Sequence, residues 1–214
     1  MARLKQTALM AFCVGGAFVL GQSIASNSVG TAVAAQPEMD GDQPDMSMMG
    51  PTEYHKKMAG MLGEWDVVVQ FKMSPSDAEW TESKGTITRK WILDGMFMQE
   101  EVNASMGPGM PEFKGIGTMG YNTFTGEYES SWMENTSSPI TSATGSYDEA
   151  TMTWTFIGDM FNPMTGEKVK SKQVYIESDP NRHILESYIL MDNGEYWQSF
   201  KGVSERRGAR SGTR

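Results

Sequence analysis

The chain contains only two histidines, His55 and His183, so any chemistry that needs an imidazole must use one of them. Catalytic and metal-binding histidines need a partner that orients the ring, and neither has one nearby in the sequence. We expect His55 to hydrogen-bond at the rim of the fold. His183 shares strand parity with Leu185 and Ile189, which predicts that it faces the interior.

Methionine is the second residue type with coordinating ability. The chain has 19 methionines, and Met46, Met48 and Met49 form a cluster, with Met39 nearby. Thioethers are soft ligands that suit Cu(I), so this cluster is a candidate copper site. The alternative is a flexible tether, which we favour because few other ligands are available to complete a selective site.

Patterns for other catalytic chemistry are absent from the sequence. It has no nucleophile elbow of the Gly-x-Ser-x-Gly type, no phosphate-binding Walker loop and no dinucleotide fingerprint. Carboxylate pairs such as Glu100-Glu101 fall at strand positions where solvated faces are expected, which does not support a hydrolase dyad. The sequence therefore predicts no catalytic residue and no cofactor.

The N-terminus predicts export. Arg3 and Lys5 precede an apolar run at residues 8–20, and small residues follow it, as in a secretory signal peptide. The run is too short to cross a bilayer core of about 30 Å as a helix, so no stable membrane anchor is expected. We predict cleavage between Ala34 and Gln36, and a periplasmic or secreted mature protein.

Processing would leave an acidic chain without cysteine. Residues 1–35 hold the single cysteine, Cys13, together with two basic and no acidic side chains, so their loss changes the net charge from −9 to −11. Disulfides and thiolate zinc sites are thereby excluded from the mature chain. An acidic surface repels phosphate backbones, so nucleic acid is not an expected partner. Composition does not indicate the oligomeric state.

The rest of the chain divides by composition. Residues 36–50 mix Pro, Gly, Asp and Met without an apolar period and predict a flexible leader, residues 51–207 predict a single domain, and residues 208–214 predict a disordered tail. The domain opens with a short amphipathic helix from Pro51 to Leu62, whose apolar face would include Tyr54, Met58 and Met61.

From Gly63 onward the apolar period is two. Trp65, Val67, Val69 and Phe71 alternate with mostly polar residues, and similar alternation recurs between turn-forming segments, including Ile87-Arg89-Trp91-Leu93. The pattern predicts an all-β fold of about ten antiparallel strands joined by hairpins. Such a meander closes into an up-and-down barrel, because closure leaves no exposed edge.

Several motifs, in order, resemble the DUF1579 family of bacterial proteins, whose function is unassigned. The matching segments are Glu53-Tyr54-His55, Leu62-Gly63-Glu64-Trp65, Phe113-Lys114-Gly115-Ile116-Gly117, Gly120-Tyr121-Asn122, Tyr128-Glu129-Ser130-Ser131-Trp132 and Asn162-Pro163-Met164-Thr165-Gly166. The opening Gly63-x-Trp65, after a short helix, is also similar to the calycin barrels: lipocalins, fatty-acid-binding proteins and nitrobindins.

The calycin resemblance implies a ligand cavity and a structural pair in which Trp65 packs under an arginine near the end of the last strand, here Arg206 or Arg207. Gly63, Trp65 and Arg206 are therefore structural candidates. Tyr121, Trp132 and His183 are candidates for contact with a ligand. In nitrobindin-like barrels a histidine binds haem, which makes His183 the candidate for that alternative.

These observations favour an exported module that binds a small, largely apolar molecule in a barrel cavity. Two alternatives stay open: copper or haem handling in the periplasm, and an enzyme with a site inside the barrel.

Overall fold

The alternating segments form ten strands in the computed structural model, which describes residues 50–162 and 165–208. The strands are β1 (Gly63–Phe71), β2 (Thr81–Ile92), β3 (Phe97–Ala104), β4 (Phe113–Asn122), β5 (Glu127–Glu134), β6 (Thr141–Asp148), β7 (Thr153–Phe161), β8 (Lys168–Asp179), β9 (Arg182–Leu190) and β10 (Tyr196–Arg206).

Every strand pairs antiparallel with its neighbours in sequence, and β1 also pairs with β10, which closes the barrel. The predicted antiparallel up-and-down barrel is therefore confirmed. Alternation explains the closure, because one face of each strand is apolar enough to be buried and only a closed sheet buries ten such faces without leaving an edge.

The N-terminal helix is shorter than predicted. The α-helix α1 covers Glu53–Lys57 and continues as a 3₁₀ turn at Met58–Met61. Because the tighter turn changes the rotation per residue, the buried face contains His55, Met58 and Met61, whereas the Tyr54 side chain is partly exposed. The prediction that Tyr54 belongs to the buried stripe is wrong for this reason.

The predicted β2 alternation also runs one residue too far. β2 ends at Ile92, and Leu93 begins a short 3₁₀ turn with a positive φ of 48° and an exposed side chain. Leu93 thus serves the connection to β3 and does not add to the apolar face.

Helix α1 and its 3₁₀ turn cover one end of the barrel, which we call the closed end. The Tyr128 hydroxyl donates to the Tyr54 carbonyl over 2.9 Å, and Lys57 pairs with Glu149 in the β6–β7 turn. Packed beneath the helix is a cluster that includes Met58, Met61 and Trp154, all essentially inaccessible to solvent. Among the described residues, the connections at the other end of the barrel carry no such cover, and we call that end the mouth.

No helix within residues 50–162 and 165–208 is long and apolar enough to cross a membrane. The predicted signal peptide, almost all of the predicted leader with Met46, Met48 and Met49, and the tail beyond Gly208 lie outside the described residues.

Candidate functional site

A cavity of about 990 Å³ occupies the barrel interior between the closed end and the mouth. Its walls are mainly aliphatic and aromatic side chains that the strand alternation turns inward, including Val67, Val69, Ile87, Met98, Val102, Phe113, Trp132, Phe156, Leu185, Ile189 and Phe200. Connections between strands form the rim, with Pro75 after β1, Met106 after β3, Asn162 after β7 and Met191 after β9.

The floor of the cavity carries a buried arginine. Arg89 lies on the inward face of β2, next to Ile87 in the alternation, and its side chain is 3% exposed. Its Nε donates to Glu100 Oε2 over 2.5 Å, and its Nη1 donates to the Tyr175 hydroxyl over 2.7 Å. Burial disfavours the guanidinium charge, but Glu100 and Tyr175 outweigh that cost, so the pKa of Arg89 lies above its usual value.

Behind this arginine the polar contacts continue to His183. The Tyr175 hydroxyl lies 2.7 Å from Nδ1 of His183, and the histidine ring packs against Trp65 with 4.2 Å between ring centroids and an interplanar angle of 35°. Burial, with the nearby charges of Arg89 and Arg206, lowers the pKa of His183 to about 3. The ring is therefore neutral. Because the Tyr175 hydroxyl oxygen already accepts a hydrogen bond from Arg89, its own O–H is available to donate to Nδ1 of His183.

Trp65 packs against the guanidinium of Arg206 and the ring of His183 at the closed end. Its indole is fully buried, Arg206 lies 4.1 Å from the ring centroid, and Nε1 donates to the Met61 carbonyl over 3.0 Å. Arg206 in turn donates to the Leu62 and Gly60 carbonyls, which joins the end of β10 to the 3₁₀ turn.

Gly63 explains why this approach of Arg206 is sterically allowed. Its φ of +114° is unfavourable for any residue with a Cβ, and a Cβ there would lie 2.7 Å from Nη1 of Arg206. Arg207, the other candidate named from sequence, pairs on the outside with Asp66 and does not contact Trp65.

Of the three residues proposed for ligand contact, only Trp132 lines the cavity. Its ring lies flat across Gly115, where a Cβ would overlap the indole, so the glycine makes room for this part of the wall. Tyr121 instead stacks on Tyr54 at the closed end, with 4.4 Å between ring centroids. His183 lies below the floor and does not line the cavity.

Residues 50–206 match the family model described as "Protein of unknown function (DUF1579)". The chain belongs to the DUF1579 family. The predicted family resemblance is therefore confirmed. No curated protein matches this DUF1579 chain.

Solved structures that are similar to this DUF1579 protein include the following two. One is a redesigned β-barrel, 11% identical, with a TM-score of 0.37, in an alignment covering 71% of this chain and 95% of that one. The other is an S-type phycobiliprotein lyase from Guillardia theta, also 11% identical, with a TM-score of 0.49, covering 77% of this chain and 98% of that one.

The DUF1579 barrel does not fit a haem held by a histidine. Neither His55 nor His183 lines the cavity: His55 caps helix α1 with Nδ1 bonded to the Thr52 backbone N–H, and Tyr175 separates His183 from the cavity. Nor do the described residues bring together three or more His, Cys, Asp or Glu side chains as a metal site.

Sequence reasoning missed the floor residues Arg89, Glu100 and Tyr175. The prediction that Glu100 and Glu101 share a solvated face is wrong for Glu100: only Glu101 faces outward, and Glu100 points inward at Arg89. The alternation along β2 contains the signal that could have identified these residues. Arg89 lies between Ile87 and Trp91 on the apolar face of that strand, so it must be buried and needs a carboxylate partner. The opposing strand β3 offers one at the right parity in this DUF1579 chain.

Proposed function

We propose that this DUF1579 protein is an exported binding protein that encloses one small, largely apolar molecule inside its barrel. The observation that carries this proposal is the cavity of about 990 Å³ with predominantly apolar walls. Sites for drug-sized molecules generally enclose about 300–1,000 Å³ and combine apolar walls with a few polar groups.

The distribution of side chains supports entry from the mouth. At the closed end, helix α1, Met61 and Trp65 fill the interior, so a ligand has no passage there. The cavity lining extends to residues of the connections at the mouth, such as Pro75 and Met106. Apolar walls favour transfer of a hydrocarbon group from water by about 25 cal/mol per Å² that is buried.

Binding of Nile red, a neutral apolar dye whose emission rises in apolar surroundings, tests the proposal. A Val69→Trp variant places a large side chain in the cavity, whereas Val68→Trp places the same side chain on the outer face of the same strand. We expect Val69→Trp to weaken dye binding about tenfold through steric exclusion, and Val68→Trp to leave it unchanged.

Equal effects of the two variants, or no dye binding by the wild-type protein, would contradict a binding cavity. Native mass spectrometry of protein purified from its own host then gives the mass of any bound molecule.

Export is tested separately, because it depends on residues 1–35 alone. N-terminal sequencing of the fractionated protein should begin near Ala35 or Gln36, since the small-residue site follows the apolar run. A mature protein that retains Met1 would refute the proposed compartment.

A further inference from the structure

Two ion pairs lie side by side across strands β2 and β3. Arg89 and Glu100 are directly opposite each other in the interior. Lys90 and Glu101, each the next residue on its strand, form a diagonal pair on the outside. The outer pair is exposed to water and screened. The inner pair sits at the floor of the cavity, where the guanidinium charge is already balanced by a carboxylate.

We propose that this floor selects an uncharged head group that both donates and accepts a hydrogen bond, such as a hydroxyl or a primary amide, on an apolar ligand, and that it rejects a carboxylate. This inference rests on the proposed binding function and specifies its ligand class. The head group would accept from Arg89 and donate to Glu100, with the apolar part directed toward the mouth.

The hydrogen bonds of Arg89 explain the preference for an uncharged group. Nε donates to Glu100 and Nη1 donates to the Tyr175 hydroxyl, so these two nitrogens already have partners within the protein. No described residue accepts a hydrogen bond from Nη2, which leaves this donor for a ligand oxygen. The Glu100 side chain is 24% exposed and lines the cavity beside it as an acceptor.

A carboxylate ligand would meet an unfavourable charge balance. It would gain one contact with Arg89, but it would also approach Glu100, and the site would then hold two negative charges against one positive charge away from bulk water. The cavity lining has two other charged residues, Glu82 and Lys84 near the mouth, and their opposite charges also balance each other. Within the described lining, therefore, no surplus of positive charge compensates an anionic ligand.

The remaining polar residues of the lining have the same character. Gln173, Ser187, Ser199 and Ser204 are uncharged and lie on strands β8 to β10, which follow β1 around the barrel; Ser204 is paired directly with Val67. Neutral hydroxyl and amide groups suit ligand groups of the same kind, because each can both donate and accept.

The experiment compares decanol with decanoate as displacers of Nile red at pH 8, in the wild-type protein and in two variants. The probes share an alkyl chain and differ in the head group. Glu100→Gln removes the inner carboxylate, and Glu101→Gln removes its outer neighbour as the matched control. Far-UV circular dichroism and a thermal melt verify that each variant is folded.

For the wild-type protein we expect decanol to bind about tenfold or more tightly than decanoate, the order expected from one unfavourable buried charge contact. In Glu100→Gln, decanoate should gain at least about tenfold relative to decanol, because Arg89 then lacks a charged partner. Glu101→Gln should leave the ratio at its wild-type value, since that carboxylate is outside the barrel.

Decanoate binding to the wild-type protein as tightly as decanol would overturn the inference, and so would a ratio unchanged by Glu100→Gln. Nile red binding that neither decanol nor decanoate can displace would also overturn it, while leaving a binding cavity in place. The proposed function itself fails if Nile red does not bind or if Val69→Trp and Val68→Trp change its binding equally. Neither outcome involves the two displacers, so the two failures are distinguishable.

Discussion

Replacing Trp65 with alanine should be among the most destabilising single changes in this barrel. The indole is fully buried between Arg206 and His183 at the closed end. Truncating a buried tryptophan to alanine costs about 3–5 kcal/mol through lost apolar contacts and the remaining cavity. The Met61 carbonyl also loses its hydrogen bond from Nε1, which adds about 1 kcal/mol. We therefore expect a loss of about 4–6 kcal/mol in the free energy of unfolding.

Two further variants divide this loss into parts. Trp65→Phe retains an aromatic ring against Arg206 but removes the Nε1 hydrogen bond, so it should cost about 1–2 kcal/mol. Trp80→Ala is the control, because Trp80 precedes β2 with 40% of its surface exposed, and Lys72 Nζ lies over its ring at 5.2 Å from the centroid. That variant should cost less than about 1 kcal/mol.

Urea titrations followed by far-UV circular dichroism measure all three variants without depending on tryptophan emission. Trp65 does not line the cavity, so Nile red affinity of the folded Trp65→Ala protein should remain near the wild-type value. A midpoint for Trp65→Ala no lower than that for Trp80→Ala would refute the reasoning that the stack with Arg206 stabilises the closed end.

Three other predictions concern separate parts of the chain. Burial keeps His183 neutral when folded, with a pKa of about 3, whereas the unfolded chain takes up a proton below about pH 6.5; stability is therefore complete above pH 6.5 and falls by up to about 1.4 kcal/mol per pH unit toward pH 3. Urea titrations across this range should show a flatter slope for His183→Asn, and an unchanged slope would contradict the assignment. Gly63→Ala should cost about 2–3 kcal/mol in the same titration, more than Gly194→Ala, which has a similarly positive φ but open space around it; equal losses would show that contact with Arg206 adds nothing. Deleting residues 36–50 should leave the melting temperature of the barrel unchanged, and the long and short forms should bind Cu(I) equally weakly in a competition titration; tighter binding by the long form would instead support the methionine cluster as a copper site.

The fold was predictable because its signal is local and repeated. Each strand carries alternation such as Trp65, Val67 and Val69, and the turns between strands carry Gly, Asn, Asp or Pro. The apolar period alone does not define where an element ends: Leu93 continues the apolar pattern of β2 but lies in the turn after it. Backbone conformation at such positions depends on the connection as well as on hydrophobicity.

The floor of the cavity was less predictable because its members meet only in three dimensions. Arg89 and Glu100 are 11 residues apart, and Arg89 and Tyr175 are 86 residues apart. Parity indicates that Arg89 faces inward, but strand register decides which carboxylate it meets, and register depends on the β2–β3 connection. Tyr121 shows the opposite case: it belongs to a recognisable motif, yet its ring packs on Tyr54 at the closed end.

Because β1 pairs with β10, the barrel closes only when its last strand is in place. Trp65 and Arg206 face each other across that pair although they are about 140 residues apart, so the last strand completes a wall that the first strand begins. Until β10 is in place, β1 and β9 both expose unpaired edges, and the cavity has no wall on that side. A chain truncated before Tyr196 would therefore lose the cavity completely. A ligand that binds inside would stabilise only chains in which β10 has closed the barrel. A filled cavity would therefore distinguish closed, folded chains from chains that lack the last strand.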